Sequence, residues 1–400
     1  MESVQQAQPQ NLRQWLEIPT IRTIVSIVGF ALAVIAFIFA FNFLRSDEAP
    51  IVGVIVVGLV VGILGIWVLF LSLDALVDLL PPNAARAVRP FVYLAPGLAA
   101  LGAFLVYPAF YTLFLSFFAG RPNFQEGTAE FIGLENYLFR RTAEAPIFSE
   151  EIIWIIVRNN LMWIVLVTFL SVALGLVIAV LVDRIKLESV AKSLIFMPMA
   201  ISFVGASVIW RFIYYFQPLG REQIGLLNAI WVALGGEPQG WLTLSEVSIP
   251  LITNLTNGTL FVPLNSIFLI IIMVWLQTGF AMVIISAAVK GVPDALLEAA
   301  RLDGANEVQI FFRIIIPYIR GTLLTVGTTI LVLVLKVFDI VFVMTSGDFD
   351  TEVLANRMYI EMFTNRDYGQ GSAYAVILMV AVIPIMIYNI REWQRERQER

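Results

Sequence analysis

Eight long runs of residues carry almost no charge, and they decide what this chain can become. They fall at about 23–44, 51–73, 91–118, 159–182, 193–213, 263–289, 316–345 and 370–390. Each reaches the roughly 20 residues that a helix needs to cross the hydrocarbon core of a bilayer. No water is present there to satisfy backbone amides, so such a segment must close its own hydrogen bonds as a helix. The sequence therefore predicts an all-α polytopic membrane protein with eight transmembrane helices. Composition agrees. Hydrophobic residues make up 59% of the chain and charged ones 14%, where a soluble domain carries about a quarter charged. The run Thr23 to Leu44 is too long for a signal-peptide core and no small-residue cleavage site follows it, so it is expected to be a retained span.

Eight crossings put both ends on one side, and the basic residues say which. One set of loops, including both termini and the segment 292–317, holds fifteen Lys and Arg; the alternate and longer loops hold nine, and Lys336 lies within a run. Positive charge is retained on the cytoplasmic side, so both termini are expected there. Two long connections, about 119–158 and 214–262, then fall outside. Asn254 and Asn257 in the second of these match glycosylation sequons by letter and are read as chance. The chain has no cysteine and no histidine. That removes disulfides, thiol nucleophiles, histidine acid–base chemistry and the usual zinc sites. No Gly-Lys pair occurs, so the chain supplies no P-loop of its own. No catalytic residue, metal or cofactor is expected.

Between the sixth and seventh runs lies a polar stretch, Val292 to Pro317, with helix punctuation at two places. Asp294 can cap a short helix whose apolar side is Leu296, Leu297 and Ala300, and Gly304 stands where a left-handed residue ends it. Asn306 with Gln309 three residues on has capping-box spacing, so a second helix starts there. Two helices joined by a glycine elbow are expected.

This pattern resembles the EAA loop of the inner-membrane permease subunits of ATP-driven, binding-protein-dependent importers. The matching residues are Glu298, Ala299 and Ala300, then Gly304, then Ile314, Ile316 and Pro317; the family usually has Leu where Ile316 stands. The resemblance implies a coupling helix seated in a cleft of a separate ATPase subunit. Further matches are similar to the MalF-like carbohydrate-uptake branch: Tyr107-Pro108 through Phe117, Phe131 through Tyr137, Asn160 through Ala179, Lys192 through Pro198, Trp210, and Phe338 through Gly347. Gly225-Leu-Leu-Asn and Trp241-Leu resemble alpha-glucoside permeases. The likeness covers about residues 91–390 and implies a type I ABC importer permease core. The implied partners are an ATP-binding subunit dimer, a second permease forming a heterodimer, an extracytoplasmic sugar-binding protein and a sugar substrate, in a bacterial inner membrane. Residues 1–90 then form an N-terminal region with two accessory helices, and 391–400 a charged cytoplasmic tail.

Several residues have both a structural and a functional reading. Pro108 and Pro198 can kink helices. Gly175 with Ala179, and Gly58 with Gly62, have the small-x-x-x-small spacing of close helix contact. Polar groups inside a span are costly and face a cavity or a partner helix. Lys336 lies roughly 9 Å past the middle of its run at 1.5 Å per residue, with Asp339 a turn later on the same face. They read either as an intrahelical ion pair or as part of the substrate path. Gln277 and Phe280 share a face, an amide beside a ring that suits a hydroxylated substrate, or else a helix-to-helix bond and core packing. Ser202 lies beside the Pro198 kink. The rival to an ATP-driven permease is an ion-coupled secondary transporter, which predicts inverted repeats and acidic residues at the midplane. Asp339 is the clearest carboxylate inside a run.

Overall fold

The computed structural model describes residues 19–44, 46, 50–78, 80–124, 126–137, 140–142, 145–146, 150–183, 185–218, 220–244 and 263–398. Asn254 and Asn257 lie outside these. The chain divides into two compact units, Met1–Phe110 and Tyr111–Arg400.

The first unit opens with α1 (Pro19–Leu44). Helices α2 (Ile51–Val60) and α3 (Ile66–Val77) follow, fused by a π turn at Val61–Gly65. Small residues let α1 and this second helix approach: a Cβ on Gly65 would lie 3.1 Å from the Phe37 ring, and one on Gly29 3.2 Å from Ser72 Oγ. Gly58 and Gly62 have nothing within 4 Å of a Cβ position. Their spacing, expected to mark a helix contact, faces open space in this chain. Helix α4 (Pro82–Leu101) passes through a π turn at Gly102–Val106 into α5 (Tyr107–Leu115). Arg89 pairs with Asp78 and Asp74, tying α4 back to the end of α3.

The second unit holds the remaining helices: α6 (Glu150–Met162), α7 (Thr168–Val182), α8 (Glu188–Phe196), α9 (Phe203–Ile213), α10 (Leu226–Ala233) and α11 (Leu264–Lys290). Then come α12 (Asp294–Leu302), α13 (Glu307–Ile310), α14 (Ile316–Tyr318), α15 (Arg320–Leu335), α16 (Asp339–Met344), α17 (Leu354–Tyr359) and α18 (Tyr368–Gln398). A short antiparallel pair, Arg140–Thr142 with Ala145–Pro146, lies between α5 and α6.

Helix α11 is the axis of this unit. Leu269, Ile272, Met273, Leu276, Met282 and Ile285 are all at most 1% exposed. Helix α7 lies directly against it, because a Cβ on Gly175 would come within 2.6 Å of Ala281 Cβ and 2.9 Å of Met282 N. Ala179 is fully buried at the next turn. The expected packing role of Gly175 and Ala179 is therefore observed.

Five helices are long and apolar enough to cross a bilayer, and two bent pairs bring the number to seven among the described residues. The second expected span appears as a shorter apolar helix, Ile51–Ile63. Length and hydropathy alone thus stop short of the expected eight.

Two expected spans are sharply broken. The fifth bends by 100° between Glu188–Ala200 and Phe203–Ile213. Pro198 sits in a 3-10 turn, Met197–Ala200, and Ser202 restarts the chain as a helix by accepting a bond from Gly205 N at 3.0 Å. Proline lacks the donor and crowds the carbonyl four residues back, so a simple kink was expected; the helix stops outright. The seventh bends by 70° between Glu307–Tyr318 and Arg320–Leu335. It then ends at Leu335, and the chain is not helical again until Asp339. One helix over 316–345 was expected. Pro108 and Pro317 each follow a π turn, at Gly102–Val106 and Phe311–Ile315. A widened turn moves the preceding carbonyls off the proline ring; past Pro108 the chain runs on as helix to Leu115, whereas past Pro317 it keeps one more helical residue before the 70° bend.

Candidate functional site

Two features stand out within the second unit, a hairpin at one end and a cavity in the middle. The hairpin is α12 and α13 about Gly304, whose φ is +83°. Only a residue without a Cβ adopts this readily. It closes a Schellman turn, with Ala305 N donating to Ala300 O at 2.9 Å and Gly304 N to Arg301 O at 3.1 Å. The capping box is present in both halves: Gln309 N to Asn306 Oδ1 at 2.8 Å, and Asn306 N to Gln309 Oε1 at 2.9 Å. Arg301 and Glu307 pair across the elbow at 3.1 Å. Asp294 does not cap; Pro293 is the N-cap, with no side-chain bond, and Asp294 occupies the first turn. A carboxylate there still complements the positive end of the helix dipole.

The motif residues divide by exposure. Ala300 is buried, Ile314 and Ile316 are half-buried against the core, and Glu298, Ala299, Gly304 and Pro317 face outward. Four large apolar side chains are also uncovered: Leu296 at 45% exposure, Leu302 at 89%, Val308 at 64% and Phe312 at 61%. The hairpin is thus locked internally and apolar externally.

The cavity has a volume of about 480 Å³. Ser202, Gln277, Phe280 and Asp339 all line it, together with Thr329 and Leu333. They come from α9, α11, α15 and α16, brought together by the 100° and 70° bends. A second cavity of about 240 Å³ shares Phe203, Leu333 and Asp339 with the first and adds Lys336 and Phe338. Gln277 is 4% exposed, and no described residue hydrogen-bonds its side chain. The bond to a neighbouring helix, one of its two expected readings, is absent. Ser202 has the capping bond already described. The expected ion pair of Lys336 and Asp339 along one helix is also absent among the described residues: Lys336 terminates α15 and is exposed, and Asp339 begins α16. Breaking the helix lets both charges open onto a cavity instead of into packed protein, which accounts for the departure.

Sequence reasoning passed over two groups. Thr329 is a cavity residue, and its position inside an apolar run could have marked it. Lys192 bridges Asp183 at 2.5 Å and Glu188 at 2.6 Å and also bonds Ser286. Lys290 pairs with Glu188, and Ser286 donates to Asp183 at 2.8 Å. This clasp joins the ends of α7, α8 and α11 one short turn before the hairpin. Its bonded pairs stand up to 103 positions apart, so no local pattern reveals it.

The family profile described as "Binding-protein-dependent transport system inner membrane component" matches residues 107–400. The osmoprotective compounds uptake permease protein GgtC of Synechocystis is 52% identical over 309 residues, covering 77% of this chain and 100% of that one. The alpha-glucoside transport system permease protein AglF of Rhizobium meliloti is 50% identical over 313 residues, covering 78% and 84%. A solved bacterial ABC transporter involved in alginate import has a chain that superposes with TM-score 0.59 at 18% identity, over 78% of this chain and 97% of that one. The fold is that of an ABC importer permease. By profile, by close relatives and by fold, the chain belongs to the family of binding-protein-dependent transport system inner membrane components.

Proposed function

We propose that this chain is the permease of an ATP-driven sugar importer, carrying oligosaccharides or alpha-glucosides delivered by an extracytoplasmic binding protein. Two separate ATP-binding subunits drive it, and a second permease completes a heterodimer. The two relatives near 50% identity, one named for alpha-glucosides and one for osmoprotective compounds, support this substrate class. The excess of basic residues in loops shared with both termini supports a cytoplasmic hairpin.

The observation that carries the reading is the hairpin with Leu302 uncovered at its tip. A rigid elbow that leaves Leu302, Val308 and Phe312 in water needs a partner to cover them, and Glu298 adds one charge for a basic groove. When ATP draws the two ATPase subunits together, the hairpin is pushed. The push passes through the π turn and α14, round the 70° bend, into α15, which carries the cavity residues Thr329, Ile330 and Leu333. The bend turns displacement at the membrane face into tilt of a cavity wall. Sugar occupies the 480 Å³ cavity, within the roughly 300–1,000 Å³ of small-molecule sites. The free Gln277 amide and the Asp339 carboxylate meet its hydroxyls, while Phe280 meets its C–H face. Lys336 joins from the smaller cavity, and Ser202 holds the elbow that shapes the larger one.

The test uses the importer assembled with its ATPase pair. Glu298→Lys or Leu302→Glu is expected to lower sugar uptake by about tenfold, roughly 1.4 kcal/mol of lost coupling, with the chain present in the membrane at its usual level. Wild-type uptake in both variants would refute the reading.

A further inference from the structure

A band of aromatic rings leaves the smaller cavity and ends in the open. Phe338, which lines that cavity beside Lys336 and Asp339, stacks on Phe342 with centroids 5.0 Å apart and planes 23° apart. Its ring also lies 5.0 Å from Tyr359, which is 4.9 Å from Phe342. Tyr359 then meets Phe363 at 5.0 Å and 37°. The first three rings are half-buried, whereas Phe363 is 60% exposed. It sits in a π turn, Ile360–Thr364, just before α18. No described residue hydrogen-bonds the Tyr359 hydroxyl, although the ring beneath it is held on three sides.

This band starts at a cavity wall and finishes at an exposed ring. Spacings near 5 Å throughout leave no gap between one ring and the next. The face of an aromatic ring is electronegative and attracts the weakly positive C–H groups on the face of a pyranose, with a modest energy per contact. Weak and repeated sites are what a conducting path requires, since each must bind enough to accept and little enough to release.

We propose that Phe363, Tyr359, Phe342 and Phe338 form the approach path of an uncharged pyranoside from the outer surface to the transport cavity. The sugar passes ring to ring on its C–H face, with the Tyr359 hydroxyl available to its hydroxyls midway. This rests on the sugar-importer reading above, which places the start of α18 on the outer side. Phe363 is the first ring met, and Asp339 lies at the cavity end.

The decisive experiment reconstitutes the complete importer in proteoliposomes, with this chain, its companion permease, the ATPase pair and the binding protein, and follows tritiated sucrose. Phe363→Leu keeps an apolar side chain of similar bulk but has no ring face. It is expected to slow uptake at subsaturating sucrose by about fivefold, the scale of one ring contact, with binding-protein-stimulated ATP hydrolysis unchanged. Phe363→Trp, which keeps a face, is expected to stay within about twofold of the wild type. Equal uptake by the Leu variant overturns the proposal. So does a parallel loss of stimulated hydrolysis, which would make Phe363 a docking residue, or a loss of co-purifying companion permease, which would make the band a subunit seam. A wild-type assembly that imports no pyranoside at all would instead bring down the importer reading, and the path with it.

Discussion

One methyl group decides how closely α7 and α11 approach. A Cβ at Gly175 would sit 2.6 Å from Ala281 Cβ and 2.9 Å from a backbone nitrogen, neither of which can rotate away. Gly175→Val is therefore expected to cost about 3 kcal/mol through overpacking, read as a lower thermal midpoint of the purified chain. Gly58→Val, at a glycine with the same sequence signature but nothing within 4 Å, is expected to leave the midpoint unchanged. At Glu352 the deciding quantity is a proton. Burial pushes its carboxyl above the usual carboxylate range, against the bonds it accepts from Asn356 at 2.7 Å and Val353 N at 3.0 Å. The folded chain then holds the proton more tightly than the unfolded one, so unfolding releases it. Stability is full below the ordinary glutamate value and falls as pH rises through the raised one. Thermal melts across that window should show this slope, and Glu352→Gln should flatten it. The surrounding segment explains the burial: Ser346, Phe349 and Asp350 are left-handed, and Asn159 and Asn265 hold the Asp350, Glu352 and Phe349 carbonyls.

Of the helices that meet the cavity, α11 runs past it unbroken, whereas α9 begins beside it and α15 ends there. A straight α9 or α15 would wall off Ser202 from Gln277, and a continuous helix over 316–345 would stack Lys336 and Asp339 on one face. Pro198 was visible in the sequence as a perturbation, but its angle of 100° was not; Pro317 was read only as part of the motif, and the 70° turn after it was not foreseen. Proline says only where an amide is missing, and the packing of neighbours chooses how far the chain turns. The ionic clasp works at the same scale. Lys192 neutralises Asp183 and Glu188 together, and both Lys192 and Asp183 are mostly shielded, at 18% and 14% side-chain exposure. Lys192→Met leaves two carboxylates facing each other across the α7–α8 turn, with Lys290 on Glu188 alone. The expected cost is about 2 kcal/mol, below that of a fully buried pair because some water reaches the site. Thermal unfolding of the variant at low salt checks it, and an unchanged midpoint would mean that the clasp is ornamental.

The likeness to known proteins covers less than the whole chain. The family profile begins at residue 107, and the alignment that takes in all of the Synechocystis relative uses 77% of this chain. The second compact unit, Tyr111–Arg400, contains α11, the hairpin and both cavities. A chain without residues 1–81, starting at Pro82 where α4 begins, is expected to insert and to recover the ATPase subunits on co-purification. Failure to recover them, with the shortened chain present in the membrane, would assign the N-terminal helices a part in assembly.

What the sequence determined by itself was most of what rests on neighbours within a few residues. A bilayer forces apolar runs to be helices, so their helicity could be read directly, but not the count of eight crossings or the breaks within two of them. The Asn306 capping box, the left-handed Gly304 and the amphipathic α12 depend on contacts three to five positions apart, and they stand as read. The interior was not legible. Lipid and protein core are equally apolar, so Phe104 at 83% exposure and Ile272 at 0% carry the same signal in the sequence. Only the tertiary structure could separate them, and with them the cavity that gathers Ser202, Gln277, Phe280 and Asp339, the clasp on Lys192, and the rings that lead from Phe338 to Phe363.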